Sequence, residues 1–261
     1  MMRSLWTAAS GMRANQLYVD NISNNLSNVN TNAFKKNKME FQDLLYQNLH
    51  EPGSGIENGA KQPAGLQVGL GVRNVANQKI FNQGALTQTG NQLDIAITGK
   101  GFFQILLPSG EVAFTRDGAF KLAADGSLVT SNGYSLEPSI TIPEGAREIN
   151  IQKDGRVLVM LPGAADLEEI GQIELVKFVN ESGLKAIGQN MYISTPASGE
   201  AEVGQPMVDV GDLNQYYIEA SNVELVEEMV NMIVAQRAYE ISSKAIQTSE
   251  DMLQVANGLR R

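Results

Sequence analysis

The 261-residue sequence contains no cysteine, one histidine and one tryptophan, and only 6% of it is aromatic. Without cysteine there is no disulfide, no thiolate nucleophile and no thiolate metal site. The one imidazole, His50, leaves little room for a histidine-built metal centre or a histidine-dependent triad. It sits beside Pro52-Gly53 with no motif around it. Basic residues number 20 against 29 acidic ones, a formal net charge of −9 with no basic block. Binding to nucleic acid needs several Lys or Arg on phosphates, so no nucleic-acid partner is expected. No apolar run approaches the roughly 20 residues that span a bilayer, so no direct membrane insertion is expected either. The stretch from Met1 to Ser10 is mildly apolar but soon meets Arg13, Asn15 and Gln16. It lacks the apolar core of a cleaved secretory signal. The expectation is a chain that stays in the cytosol or leaves by a route needing no cleaved signal.

What is present is patterned. With 43% hydrophobic residues the chain is a folding one, and its length allows one or two domains. Up to Lys38, Leu5, Met12, Val19 and Leu26 recur every seven residues, with Ala8, Asn15, Ile22 and Val29 three positions on. That is an a/d seam with Asn15 as one polar intruder, and it reads as a coiled-coil helix in preference to an amphipathic helix packed on its own domain.

The other end mirrors it. Ser221 and Glu224 form an S-x-x-E capping box, which predicts a helix starting near Asn222. One stripe of that helix is Leu225, Met232, Tyr239, Ile246 and Leu253. A second is Val230, Val234, Ala238, Ile241, Ala245, Met252 and Val255. Tyr239 and Ile241 fall on roughly opposite faces, so the helix asks for partners on both sides, with burial in a single globular core as the alternative. The first 38 residues carry a net charge of +4 and the segment from Glu219 onward −3. Pairing of the two ends is therefore favoured by charge, although exposed pairs give only about 0–1 kcal/mol each and burial of the seams would dominate.

The middle, from about Met39 to Tyr217, reads as β. Asp117-Gly118, Asp125-Gly126, Asn132-Gly133 and Asp154-Gly155 are turn dipeptides between short apolar stretches such as Leu93 to Ile97, Phe102 to Leu107, Gly126 to Thr130 and Arg156 to Leu161. This spacing predicts an antiparallel sandwich or barrel. Tyr46 to Gly71 differs: it is rich in Gly, holds Pro52 and Pro63, and shows little periodicity, which predicts an extended insertion. The fold class expected is α+β, with terminal helices paired as a coiled coil and a central all-β domain. The boundaries are 1–38 with 219–261 for the helical module, 39–75 for the insertion and 76–218 for the β domain.

Catalytic chemistry finds little support. Gly99-Lys100-Gly101 lacks the spacing of a phosphate loop and reads as a tight turn. Asp125-Gly126 lacks the alternating acids of a calcium loop. Glu168-Glu169 and Glu227-Glu228 are adjacent, so their side chains diverge, and they read as solvated surface. No catalytic residue, metal or cofactor is expected. The run of amides at Asn21, Asn24, Asn25, Asn28, Asn30 and Asn32 is unusual. It reads either as a polar face offering uncharged hydrogen bonds to neighbours or as a helix end fraying into a turn.

Particular residues carry a resemblance. Asn24-Asn25-Leu26-Ser27-Asn28-Val29-Asn30-Thr31 with Phe34-Lys35 resembles the N-terminal signature of the bacterial flagellar axial proteins, the family of rod, hook and hook-associated proteins. Ser221-Asn222-Val223-Glu224, Glu228-Met229-Val230-Asn231-Met232-Ile233 and Gln236-Arg237-Ala238-Tyr239-Glu240, with Ser243-Lys244 and Met252-Leu253, resemble its C-terminal signature. Asp94 to Phe103 and Phe114-Thr115-Arg116-Asp117-Gly118-Ala119-Phe120 resemble the β domain shared by rod and hook members. The length and Pro63 to Val72 resemble the distal rod members. Ala33 departs from the family, which has Gly before the aromatic residue, and so does the Arg260-Arg261 tail.

The resemblance implies a structural subunit, not an enzyme, in a stiff hollow shaft that transmits torque. It implies export through the flagellar type III apparatus and helical polymerisation with other copies of itself. Further implied partners are proximal rod proteins, the hook protein and the peptidoglycan-layer and outer-membrane rings, and the implied location is the basal body across the periplasm. The implied assembly residues are Leu5, Met12, Val19, Leu26, Asn24, Asn25, Asn28, Asn30, Leu225, Met232, Val234, Tyr239, Ile241, Ile246 and Leu253. Gln47, His50, Pro52, Gln62 and Pro63 mark the rod-stiffening insertion. A proximal rod or hook paralogue, a periplasmic peptidoglycan-binding β module and a cell-wall glycan hydrolase are the competing readings.

Overall fold

The computed structural model describes residues 2–50, 64–161, 167–208 and 210–258. The chain forms two compact units, one of 1–27, 37–78 and 224–261, the other of 28–36 and 79–223. Two long helices lie at the ends of the chain and the region between them is mostly β. Among the described residues no helix is long and apolar enough to cross a membrane.

The first unit is built on helices α1 (Met2–Ser27) and α2 (Leu225–Gly258). They pack together antiparallel, and three close approaches share one offset. The Ser4 and Ser249 hydroxyls are 3.3 Å apart, a Cβ placed on Gly11 would lie 3.5 Å from the Ser242 hydroxyl, and the Asn25 amide reaches the Glu228 carboxylate at 3.2 Å. Ala14 and Ile22 of α1 and Ala235 of α2 are buried along this line. Small residues here let two backbones approach closely, which explains why a poor helix former such as Gly11 is accommodated.

Helix α2 starts three residues later than the expected Asn222. Asn222 belongs to the other unit, where its side-chain oxygen Oδ1 accepts from the Lys36 N–H (2.7 Å) and its side-chain amide donates to the Ile80 and Asn82 carbonyls (2.8 and 3.1 Å). The Ser221 hydroxyl accepts instead from the Val223 N–H at 3.3 Å. These bonds compete with helical ones and win, because short polar side chains near a helix start bond backbone readily.

Two strand pairs complete the first unit. Asn37–Asp43 pairs with Val72–Lys79, and Tyr46–His50 pairs antiparallel with Leu66–Gly69. The two ends of the expected insertion are thus joined as strands. All five residues of Tyr46–His50 are exposed, so no one-sided burial imposes the alternation that marks a strand in sequence. Gln47 and His50 lie on this strand, whereas Pro52, Gln62 and Pro63 lie outside the described residues.

The second unit holds a nine-stranded sheet. Its central strand, Phe102–Leu106, pairs antiparallel with Val112–Thr115, Ser135–Glu137 and Leu175–Lys177. A three-stranded sheet of Glu148–Ile151, Arg156–Met160 and Glu168–Gln172 lies beside it in the unit, with two further pairs, Ile95–Thr98 with Asp212–Gln215 and Leu86–Gln88 with Tyr217–Glu219. Successive side chains on a strand point to opposite faces. Phe103 accordingly joins one buried cluster with Ile95, Ile97, Phe120, Leu136 and Leu175, while Phe102 joins another with Phe114, Val176, Phe178 and Tyr192. Phe102, Phe103 and Ile105 of the central strand are buried on its two faces, while Gln104 is half-buried and Leu106 is exposed.

The turn dipeptides sit where expected. Gly126, Gly133 and Gly155 have φ of +80°, +85° and +87°, conformations open to glycine at little cost. The Asp125 carboxylate accepts from the Ser127 N–H and hydroxyl (3.1 and 2.7 Å), an Asx turn rather than a cation loop. Gly118 serves differently: a Cβ there would lie 1.6 Å from the Ile95 carbonyl oxygen.

Candidate functional site

The two signatures at the chain ends meet in the second unit. Residues 28–36 form a tight turn in which the Thr31 and Phe34 N–H groups donate to the Asn28 and Thr31 carbonyls. The Ala33 N–H donates to the Glu219 carbonyl at 2.8 Å, and the Asn222 N–H donates to the Phe34 carbonyl at 3.3 Å. Ala33 has φ of +53° and is buried. An L side chain there costs about 1–2 kcal/mol, a cost glycine would avoid. The Asn190 amide donates to the Asn32 carbonyl at 2.8 Å and secures the turn from the other side.

At the centre lies a buried ionic cluster. Glu219 has one carboxylate oxygen 2.6 Å from the Lys35 ammonium and the other 2.9 Å from Nε of Arg116. The first oxygen also accepts from the Gly84 N–H at 2.8 Å. Lys35 donates further to the Asn82 carbonyl (2.7 Å), and the Arg116 guanidinium to the Gly99 and Gly101 carbonyls (2.8 and 3.3 Å). The Gly99-Lys100-Gly101 turn therefore supplies carbonyls to a guanidinium. All three charged side chains are 0–1% exposed.

Burying charge is costly unless partners saturate it, and here they do. The residual cost is visible at Lys35. Burial first, and next the neighbouring Arg116, lower its ammonium from 10.5 to about 8 against the pull of Glu219. Burial likewise pushes the Tyr192 phenol well above its usual range. The Lys35–Glu219–Arg116 cluster is a buried structural junction. It fastens a segment following α1 in sequence, the 28–36 turn, to Glu219 just ahead of α2, through the body of the β unit.

A second polar cluster lies within the first unit. Asn25 is 1% exposed and Glu228 5%. The Asn25 amide donates to the Asn37 carbonyl (2.9 Å) and to Glu228, and its oxygen accepts from the Asn37 N–H at 2.9 Å. The Asn21 amide donates to the same Asn37 carbonyl at 3.1 Å. Two expectations are corrected. Asn25 does not lie on an exposed face toward neighbours, because its amide is consumed by the chain itself. Glu228 is not solvated surface, because at 100° per residue it turns toward α1 while Glu227 stays exposed.

The other expected assembly residues divide by exposure. Leu5, Met12, Val19 and Leu26 of α1 and Met232, Ile246 and Leu253 of α2 are half-buried. Val234 and Ile241 are 59% and 67% exposed, and Leu225 and Tyr239 are partly exposed. Val226, Met229, Val230 and Ile233 are exposed beside Val234 as an apolar ridge on the outer side of α2, and Met252 and Val255 lie on the same face beyond Arg237, Lys244 and Thr248. Asn24 and Asn30 are exposed, and the Asn28 carboxamide oxygen accepts from the Thr31 hydroxyl at 3.2 Å. Sequence reasoning assigned no role to Lys35, Arg116 or Glu219. Glu219 stands alone among apolar residues, whereas Lys35 adjoins Lys36 and Arg116 adjoins Asp117, so only Glu219 carried a local signal.

The known families now bear on this arrangement. The family described as flagella basal body rod protein matches residues 5–35, the flagellar hook protein FlgE/F/G D1 domain matches 96–159, and the flagellar basal body rod FlgEFG protein C-terminal family matches 214–259. Those three segments in that order define the class, a flagellar axial protein of rod and hook type. Full-length relatives narrow it. The chain is 50% identical over 264 residues to the flagellar basal-body rod protein FlgG of Borreliella burgdorferi, covering 100% of both chains. It is 49% identical over 261 residues to that of Caulobacter vibrioides, covering 99% of this chain and 100% of the other. It is 38% identical over 267 residues to that of Bacillus subtilis, covering 100% of both. The chain belongs to the flagellar basal-body rod protein family, whose members are structural proteins of the flagellum and not enzymes. A solved structure, the Helicobacter pylori flagellar hook protein FlgE2, overlaps 62% of this chain and 47% of its own at 16% identity and a TM-score of 0.25, and it carries no argument.

Two outcomes are expected from the Glu219 cluster. Glu219→Ala leaves two buried cations without their carboxylate and is expected to cost about 3–5 kcal/mol in urea unfolding followed by far-UV circular dichroism. The triple replacement Lys35→Met, Arg116→Met and Glu219→Leu is expected to recover most of it. Between pH 8 and 10 the unfolded chain keeps the Lys35 proton that the folded chain releases from about 8. Stability therefore rises with pH in that window. The unfolding midpoint is expected to climb more steeply in the native chain than in Lys35→Met; equal slopes would contradict the assignment.

Proposed function

We propose that the chain is a structural subunit of the distal rod of the flagellum, polymerising helically with its own copies into a rigid hollow shaft that carries torque to the hook. The observation that carries this reading is the exposed apolar ridge of α2, in a chain whose full-length relatives are rod proteins. The first turns of α2 group Val226, Met229, Val230, Ile233 and Val234, all exposed, and a grouped apolar surface of this kind marks a site for a partner. A ridge that docks on a different surface of the next copy is a heterologous contact, and such contacts generate open helical polymers.

In this reading residues 1–38 and 219–261 form the assembly module, with the two helices as a coiled coil. Leu5, Met12, Val19, Leu26, Leu225, Met232, Ile246 and Leu253 line its seams, and Val234, Tyr239 and Ile241 face neighbouring subunits together with Asn24, Asn28 and Asn30. Residues 76–218 form an outer β body of sandwich or barrel type. Residues 39–75, with Gln47, His50, Pro52, Gln62 and Pro63, wedge between subunits and block the sliding that bending requires. Its neighbours are proximal rod proteins, the hook protein and the rings of the peptidoglycan layer and outer membrane. The chain reaches the basal body across the periplasm through the flagellar type III export apparatus.

Deleting residues 47–62 is expected to give assembled rods that are curved or flexible under electron microscopy; straight rods would refute the wedge. Tyr239→Asp, a charge within an apolar stripe, is expected to abolish rod assembly and motility while the β unit keeps its circular-dichroism spectrum and unfolding midpoint. Normal motility would refute the placement of Tyr239 against a neighbouring subunit.

A further inference from the structure

Seven-residue spacing leaves the pairing of α1 with α2 nearly degenerate. Leu225, Met232, Tyr239, Ile246 and Leu253 place large apolar groups a heptad apart, and Leu5, Met12, Val19 and Leu26 do the same. Sliding one helix by seven residues, about 10 Å at 1.5 Å per residue, sets apolar on apolar again. The small residues between the large ones repeat as well: Ala235, Ser242 and Ser249 follow one another at the same interval and face α1. Glu228 stands one heptad before Ala235 and breaks the series.

We propose that Asn25 and Glu228 are the register-determining residues of the helical unit, a buried polar pair that admits one antiparallel alignment of α1 on α2 and rejects the heptad-shifted ones. In the observed alignment the Asn25 amide meets the Glu228 carboxylate at 3.2 Å, with both residues buried. Asn25 is itself held from behind, because both ends of its carboxamide bond the backbone of Asn37. The pair therefore ties α1, α2 and the first strand of the unit at one point. A slip of seven residues in one direction sets Asn25 against Ala235 and strips the buried carboxylate of its donor. A slip in the other direction carries Asn25 beyond the start of α2 at Leu225. A buried carboxylate without a donor is among the most costly groups a protein interior can hold, so each alternative is rejected by a group that contributes little attraction of its own. Single buried polar residues that fix helix register at some expense of stability are the best attested use of such groups.

The consequence for assembly rests on the proposed function. Identical subunits in a helical polymer must present identical surfaces, and a 10 Å slip would displace the outer ridge of α2 against α1 in every misaligned copy. The register itself is tested within one chain, independently of polymerisation.

The absence of cysteine makes the test clean. Ser4→Cys is combined in the full-length chain with Ser249→Cys, Ser242→Cys or Ala256→Cys, reporting the native register and the two shifted by one heptad. Intrachain disulfide formation under mild oxidation is read on non-reducing gels. With Asn25 and Glu228 present, the 4–249 pair is expected to exceed the other two by about tenfold or more, the discrimination that one unsatisfied buried polar group gives. With Asn25→Leu and Glu228→Leu together, the three pairs are expected to fall within about threefold of one another while helix content by circular dichroism is retained. Glu228→Gln, which keeps a carboxamide oxygen for Asn25, is expected to preserve the native preference. The proposal is overturned if the native chain shows no preference for 4–249 or if the double leucine variant keeps it. It is equally overturned if helix content is lost in that variant, or if Glu228→Gln scrambles the register as fully as leucine does. Failure of rod assembly with an intact 4–249 preference would count against the proposed function and leave the register assignment standing.

Discussion

One carboxylate joins distant segments of the second unit. Glu219 stands between the Lys35 ammonium and the Arg116 guanidinium, all three sealed from water. Its backbone carbonyl also receives the Ala33 N–H. The turn from 28 to 36, the loop around Gly99 to Gly101 and the strand Tyr217–Glu219 thus converge on a few atoms that solvent does not reach. An apolar cluster could supply similar stability, but it would not fix orientation as a carboxylate does, since each of its oxygens must meet its own donors.

The helical unit follows the opposite logic. Its stability comes from burial along repeating seams, and repetition supplies attraction without uniqueness. The polar contacts at Asn25, Asn37 and Glu228 provide what the seam lacks, a direction-dependent contact at one place. The outer ridge of α2 remains apolar and exposed, which suits a subunit whose second partner is another chain.

Much of this was legible in the sequence. Heptad spacing marked both helices, and Asp-Gly and Asn-Gly dipeptides marked turns, because left-handed backbone conformations admit few residue types. Helix α2 starts three residues beyond the expected Asn222, since Ser221 and Glu224 fit a capping box in sequence whereas Asn222 has better partners in the second unit. The Tyr46–His50 strand was hidden because both its faces are exposed and no alternation is imposed. Adjacency of Glu227 and Glu228 reads as a solvated pair, but helical rotation separates the two and buries Glu228.

The sequence by itself determined where the helices lie, that the centre is β, and, through motifs at both ends, the family. Those properties are local or periodic, and the chemistry of a few neighbouring residues is enough to set them. Only the tertiary structure decided which charges are buried and with whom. Lys35, Arg116 and Glu219 are far apart in the chain, and so are Asn25 and Glu228. Their pairing depends on how strands and helices bring distant segments together, which no local pattern encodes.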